Sequence, residues 1–170
     1  MTAVRAAILA VVVTLAVVLQ VAGFSLLSIH GVVPNLALLV VVAAALVRGP
    51  DFAAVLGFLA GLAVDLAPPA DHVAGRWALA LVVVGYVAGR VRQDAGSSPV
   101  AALVTVAASS FIGTSVFALS GMVLQDPAVP VAEALTVIPL AVGYDLLLTP
   151  FVLPPAMALL RRLRPPQVAY

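Results

Sequence analysis

From residue 6 to residue 47 the chain runs for 42 residues without an Asp, Glu, Lys or Arg. One straight helix of that length would extend about 63 Å, twice the ~30 Å hydrocarbon core of a bilayer. The stretch therefore has to turn back on itself. Its turn-like segment is Ser28-Ile29-His30-Gly31-Val32-Val33-Pro34-Asn35, which divides it into helices at about 6–27 and 35–47.

The rest of the sequence belongs to the same class. Hydrophobic residues make up 64% of the 170 and charged residues 9%, against about 45–50% and about 25% in soluble domains. That excludes an ordinary soluble domain, and the scarcity of charge excludes a disordered chain. The expected fold is an all-α integral membrane protein in which residues 1–170 form one multi-pass domain lying in the lipid bilayer. The chain has no cysteine, so it has neither disulfides nor thiolate metal ligands, and a net charge of +1 gives no nucleic-acid signature.

Punctuation residues set the other boundaries. Arg48-Gly49-Pro50-Asp51 closes one helix and opens the next at about 51–66, which Pro68-Pro69 ends. Asp71 is the expected N-cap of a helix at about 72–92. Ser98-Pro99 opens a helix at about 99–124. The last helix, about 131–161, is expected to be interrupted by Pro139, Pro150, Pro154 and Pro155. Six spans put both termini on one side. Arg5, Arg48, Arg90, Arg92, Arg161, Arg162 and Arg164 then face one compartment and Arg76 alone faces the other, so the termini are expected in the cytoplasm. The apolar run of the first helix exceeds the ~7–15 residues of a signal h-region, so that helix is expected to be retained, and no lipidation signature is seen.

Few residues could carry chemistry. No phosphate-binding loop or zinc motif occurs, and His30 and His72 fall in loops without a third ligand. The serines of the fifth helix lack an activating base at membrane depth. No enzyme activity, cofactor or metal is expected. Packing signals are clearer. Ala53, Gly57, Gly61 and Asp65 share one helix face, and Gly85 and Gly89 repeat the G-x-x-x-G spacing. Small residues let helix backbones approach closely in lipid. Thr105, Ser109, Ser110, Thr114, Ser115 and Ser120 supply hydroxyls on the fifth helix, as local glue or as the lining of a polar cavity.

Two carboxylates stand out. Asp65 lies near the outer end of its helix, where snorkelling to the interface and burial are both open. Asp145 lies inside the sixth helix, about 18–24 Å from either interface, between the backbone openings expected at Pro139 and Thr149-Pro150. A buried carboxylate with no cation at its depth is expected to stay neutral and donate a hydrogen bond to the fifth helix near residues 109–114.

Three stretches together resemble the rod shape-determining MreD family. Val33-Pro34-Asn35-Leu36 resembles the hydrophobic-Pro-Asp/Asn-Leu opening of its second helix. Gly57-Phe58-Leu59-Ala60-Gly61-Leu62-Ala63-Val64-Asp65 resembles its G-F-x-x-G-L-x-x-D third helix. Gly143-Tyr144-Asp145-Leu146-Leu147-Leu148-Thr149-Pro150-Phe151-Val152-Leu153-Pro154 resembles its closing Y-N/D-x-x-L-x-P-x-x-x-P segment, with Arg161-Arg162 behind it. The loop after the third helix departs from the family's P-L-G-x-x-A-L. The resemblance implies a non-enzymatic scaffold or regulator of cell elongation and peptidoglycan synthesis in the bacterial cytoplasmic membrane. It would partner the bitopic protein MreC and act, through it, with MreB, RodA and a class B penicillin-binding protein. It implies a fold similar to the six-helix substrate-binding subunit of energy-coupling-factor vitamin transporters. The alternative is a small-molecule-binding subunit of such a transporter, with Asp145 and the fifth-helix hydroxyls lining its pocket.

Overall fold

The computed structural model describes residues 3–24, 28–29, 31–68, 72–92, 98–125 and 131–164. Among these residues the chain forms six α-helices and no strand: α1 (Ala3–Val18), α2 (Leu36–Arg48), α3 (Pro50–Leu66), α4 (Arg76–Arg90), α5 (Pro99–Val123) and α6 (Val131–Arg162). Three helical stretches are long and apolar enough to cross a membrane: Ala3–Gly23, Pro99–Val123 and Thr136–Arg162. The 13 residues of α2 are also apolar but span only about 20 Å.

The helix ends follow from local chemistry. Asn35 caps α2, its Oδ1 accepting from the Leu38 amide at 2.9 Å. Gly49, at φ +94°, is the hinge between α2 and α3, and Pro50 opens α3 where no backbone donor is needed. Ser98 caps α5 through the Ala101 amide at 3.1 Å, with Pro99 next in line.

Three expectations need correction. The first helix does not stay α-helical to residue 27: it ends at Val18 and passes into a π-helical turn, Leu19–Gly23. The fourth helix begins at Arg76 rather than at 72. Gly75 precedes it in a left-handed conformation, φ +98°, and its first amides are held by Asp65 of α3. The expected cap, Asp71, lies outside the described residues, as does His30. The sixth helix is not interrupted by its prolines but runs as one helix of 32 residues. Pro139, Pro150, Pro154 and Pro155 are all exposed on it, so the backbone bonds they forfeit lie away from the bundle.

At the centre stands α2, every residue from Leu36 to Val47 buried, packed among α1, α3, α4, α5 and α6. At its C-terminal end, Arg48 Nη1 donates to the Leu163 carbonyl at 3.5 Å and Arg164 donates to the Val47 carbonyl. The ends of α2 and α6 therefore sit side by side, and the two helices run parallel. Asp65 and Arg76 lie at the opposite end, where α3 hands over to α4.

Candidate functional site

Two buried polar nodes hold the bundle together. The first is at the start of α2. The first turn of a helix has amides without intrahelical partners, and such groups are costly to bury in an apolar interior. Here three side chains answer them. Asp145 of α6, 1% exposed, accepts from the Asn35 amide through Oδ1 at 2.7 Å. The Asn35 side chain serves Leu38, and Gln20 Oε1 accepts from Ala37 at 3.3 Å. Gln20 reaches α2 from the π-helical turn, where it is the buried residue. The other oxygen of Asp145 accepts from the Ser110 hydroxyl of α5 at 2.6 Å. One turn on, Thr149 Oγ1 donates to the Asp145 carbonyl at 2.6 Å. A single carboxylate thus links α2, α5 and α6.

The second node joins α3, α4 and α5. Asp65, 2% exposed, accepts from three amides at the start of α4: Trp77 on Oδ1 at 3.1 Å, and Gly75 and Ala78 on Oδ2 at 2.9 and 3.1 Å. The carboxylate therefore caps a neighbouring helix, where negative charge is favoured. Burial, not snorkelling, is its state. His72 Nδ1 lies 3.7 Å from Asp65 Oδ1. Arg76, 1% exposed, donates to the Phe117 carbonyl at 2.7 Å, and its guanidinium lies 3.8 Å from the centre of the Phe117 ring. Trp77 stacks on that ring at 4.5 Å, and His72 meets it edge-on at 5.2 Å. Gly121 leaves room for the guanidinium, since a Cβ there would collide with it.

From the second node toward the α2–α3 hinge, the two G-x-x-x-G pairs face each other. A Cβ on Gly57 would strike the Leu81 carbonyl, and one on Gly61 the backbone at Trp77 and Ala78. From the other side, a Cβ on Gly85 would strike the Ala53 carbonyl and one on Gly89 the backbone of Pro50. The helices α3 and α4 are in backbone-to-backbone contact along four positions, the close approach that small residues permit in lipid.

Of the residues singled out in the sequence, Gly57, Gly61, Gly85, Gly89 and Asp65 thus form one unit and Asp145 anchors another. Tyr144 is half-buried, and Pro139 and Pro150 are exposed on α6. Asp145 meets α5 inside the expected 109–114 window, at Ser110, but there it accepts from the hydroxyl where it was expected to donate. Its second partner, the Asn35 amide, was not anticipated, and toward that amide the carboxylate can only accept. Gln20 was missed altogether. A signal for it existed: Gln20 and Asn35 are the two amide side chains in the uncharged 42-residue stretch. Among the described residues no group of three or more His, Cys, Asp or Glu is placed to hold a metal ion.

No family model, curated protein or solved structure matches this chain.

Proposed function

We propose that the chain is an MreD-like membrane scaffold. In this reading six spans cross the bacterial cytoplasmic membrane with both termini in the cytoplasm. The chain partners MreC and, through it, regulates peptidoglycan synthesis by MreB, RodA and a class B penicillin-binding protein. The proposal assigns it no reaction of its own. One observation carries it: both oxygens of the buried Asp145 are engaged by the Asn35 amide and the Ser110 hydroxyl. A group tied on both sides to its own chain fixes helix geometry, which is what a scaffold presents to a partner. The three stretches that carry the family resemblance contribute the polar anchors of the two nodes: Asn35, Asp65 and Asp145.

The test is co-expression with tagged MreC and purification in mild detergent, with an unrelated single-span protein as control. Stoichiometric retention on MreC, and not on the control, is the expected result. A folded protein that leaves MreC and instead carries a vitamin-sized molecule in native mass spectrometry would overturn the scaffold in favour of the transporter subunit.

A further inference from the structure

The end of the bundle where α2 meets α6 collects cations. Arg48 and Arg164 cross over, each donating to the final carbonyls of the other's helix. Arg92 lies against the α2–α3 hinge, where a methyl group added to Gly49 would be 3.0 Å from its Nη1. The charges of Arg164 and Arg5 are both close enough to repel that of Arg48. Arg48 also rests on the Phe52 ring at 4.1 Å, which leaves its guanidinium edge to other partners.

Like charges gathered at one end of the bundle favour an anion there. Among the described residues no carboxylate lies within ion-pair distance of Arg5, Arg48, Arg92 or Arg164. Each helix C-terminus carries about half a negative charge, so the ends of α2 and α6 together offset about one of the four. Asp51, exposed in the first turn of α3, makes no ion pair with them and would still leave positive charge in excess. The four side chains are half-buried or exposed, so an anion can reach them. They lie at the end of α6, one of the helices apolar enough to cross a membrane, which puts them at headgroup level.

We propose that Arg5, Arg48, Arg92 and Arg164 form a binding site for the phosphodiester of an anionic lipid headgroup. Guanidinium groups suit this ligand because their paired donors match phosphate oxygens. A lipid is the occupant because the site opens where apolar helix surface ends, so acyl chains can lie along the bundle while the headgroup meets the arginines. The inference rests on membrane insertion and not on the scaffold role.

Native mass spectrometry of the detergent-purified protein, offered phosphatidylglycerol and phosphatidylcholine in equal amounts, tests it. Arg5 and Arg92 make no hydrogen bond to the helix ends, so Arg5→Gln/Arg92→Gln removes charge without breaking the crossover. Arg90→Gln/Arg161→Gln is the charge-matched control, and Trp77 fluorescence reports that each variant is folded. The expected result is preferential retention of phosphatidylglycerol, weakened about five-fold for each arginine removed from the cluster. The control, whose arginines lie outside the cluster, should lose clearly less than the cluster variant. If the double variant does not fold, Arg92→Gln alone is read against Arg90→Gln. No preference in the wild type, or equal loss in variant and control, would overturn the site. Displacement of the lipid by inorganic phosphate or polyglutamate would overturn the lipid as occupant, in favour of a soluble anion or an acidic protein segment.

Discussion

The same chemical change at the two buried carboxylates should have opposite outcomes. Asparagine has one acceptor oxygen and one donor nitrogen where aspartate has two acceptors. Around Asp145 the partners are one amide, which can only donate, and one hydroxyl, which can do either. In Asp145→Asn the oxygen keeps the Asn35 amide and the nitrogen donates to Ser110, whose hydroxyl rotates. Both bonds survive, so the change in stability should stay within about 1 kcal/mol. Around Asp65 all three partners are amide donors. Whichever way an asparagine turns, its nitrogen faces at least one of them. One buried amide is orphaned at about 1–3 kcal/mol, and the remaining bonds lose their charge assistance, for about 3 kcal/mol in all. Asp145→Leu removes both bonds, and should cost about 2–4 kcal/mol. Thermal unfolding in detergent, followed through the single Trp77 and by gel filtration, gives the ranking. Wild type and Asp145→Asn should unfold last, Asp145→Leu and Asp65→Asn clearly earlier. If Asp145→Asn is as damaging as Asp145→Leu, the ionised carboxylate is what matters, and a proton- or cation-coupled transporter displaces the scaffold. A neutral Asp65→Asn would refute the three-donor cap.

Other consequences are open to direct measurement. Gly57→Leu or Gly61→Leu should overfill the α3–α4 contact at about 1–3 kcal/mol, whereas Gly143→Leu, with open space around its Cβ position, should leave the melting point unchanged. Phe117→Ala removes the ring under Arg76 and Trp77; a red shift in Trp77 emission and a loss of about 1–3 kcal/mol are expected, and an unaltered spectrum would count against the stack. Reporter fusions at Asp71 and Asp126 should report the outer side and a fusion at Asp94 the cytoplasm. An outside signal at Asp94 would sink the six-span arrangement.

Much of this architecture was legible because helix ends have a chemical vocabulary. Ser98-Pro99 and Gly49-Pro50 mark boundaries through capping and fixed φ, and α5 and α3 begin there. The G-x-x-x-G spacing pointed to close packing, but not to the pairing of Gly57 with the Leu81 carbonyl or of Gly85 with that of Ala53, because spacing carries no information about the opposite helix. The start of α4 was misplaced for a similar reason. Its cap is supplied by Asp65 from another helix, and capping read along the chain finds only local partners. The π-helical turn left no trace in composition, so the lone Gln20 gave no sign of which helix it would reach. Prolines predicted breaks in α6 because the hydrogen-bond rule is local, whereas packing of the opposite face keeps the helix whole.

The central helix has a consequence for how the protein is made. Chains are synthesised from the N-terminus, and α2 leaves the ribosome well before α6. Two of its anchors arrive much later. Asp145 follows Asn35 by 110 residues, and Arg164 follows Val47 by 117. At 13 residues α2 is too short to settle across a bilayer by itself, and the Asn35 amide at its start has no lipid partner to satisfy it. Until α6 is in place, the helix that becomes the innermost part of the bundle lacks Asp145 and Arg164 and has only the Gln20 and Asn35 side chains on its first turn. Maturation therefore runs against the order of synthesis: α6, made after α2, locks it in.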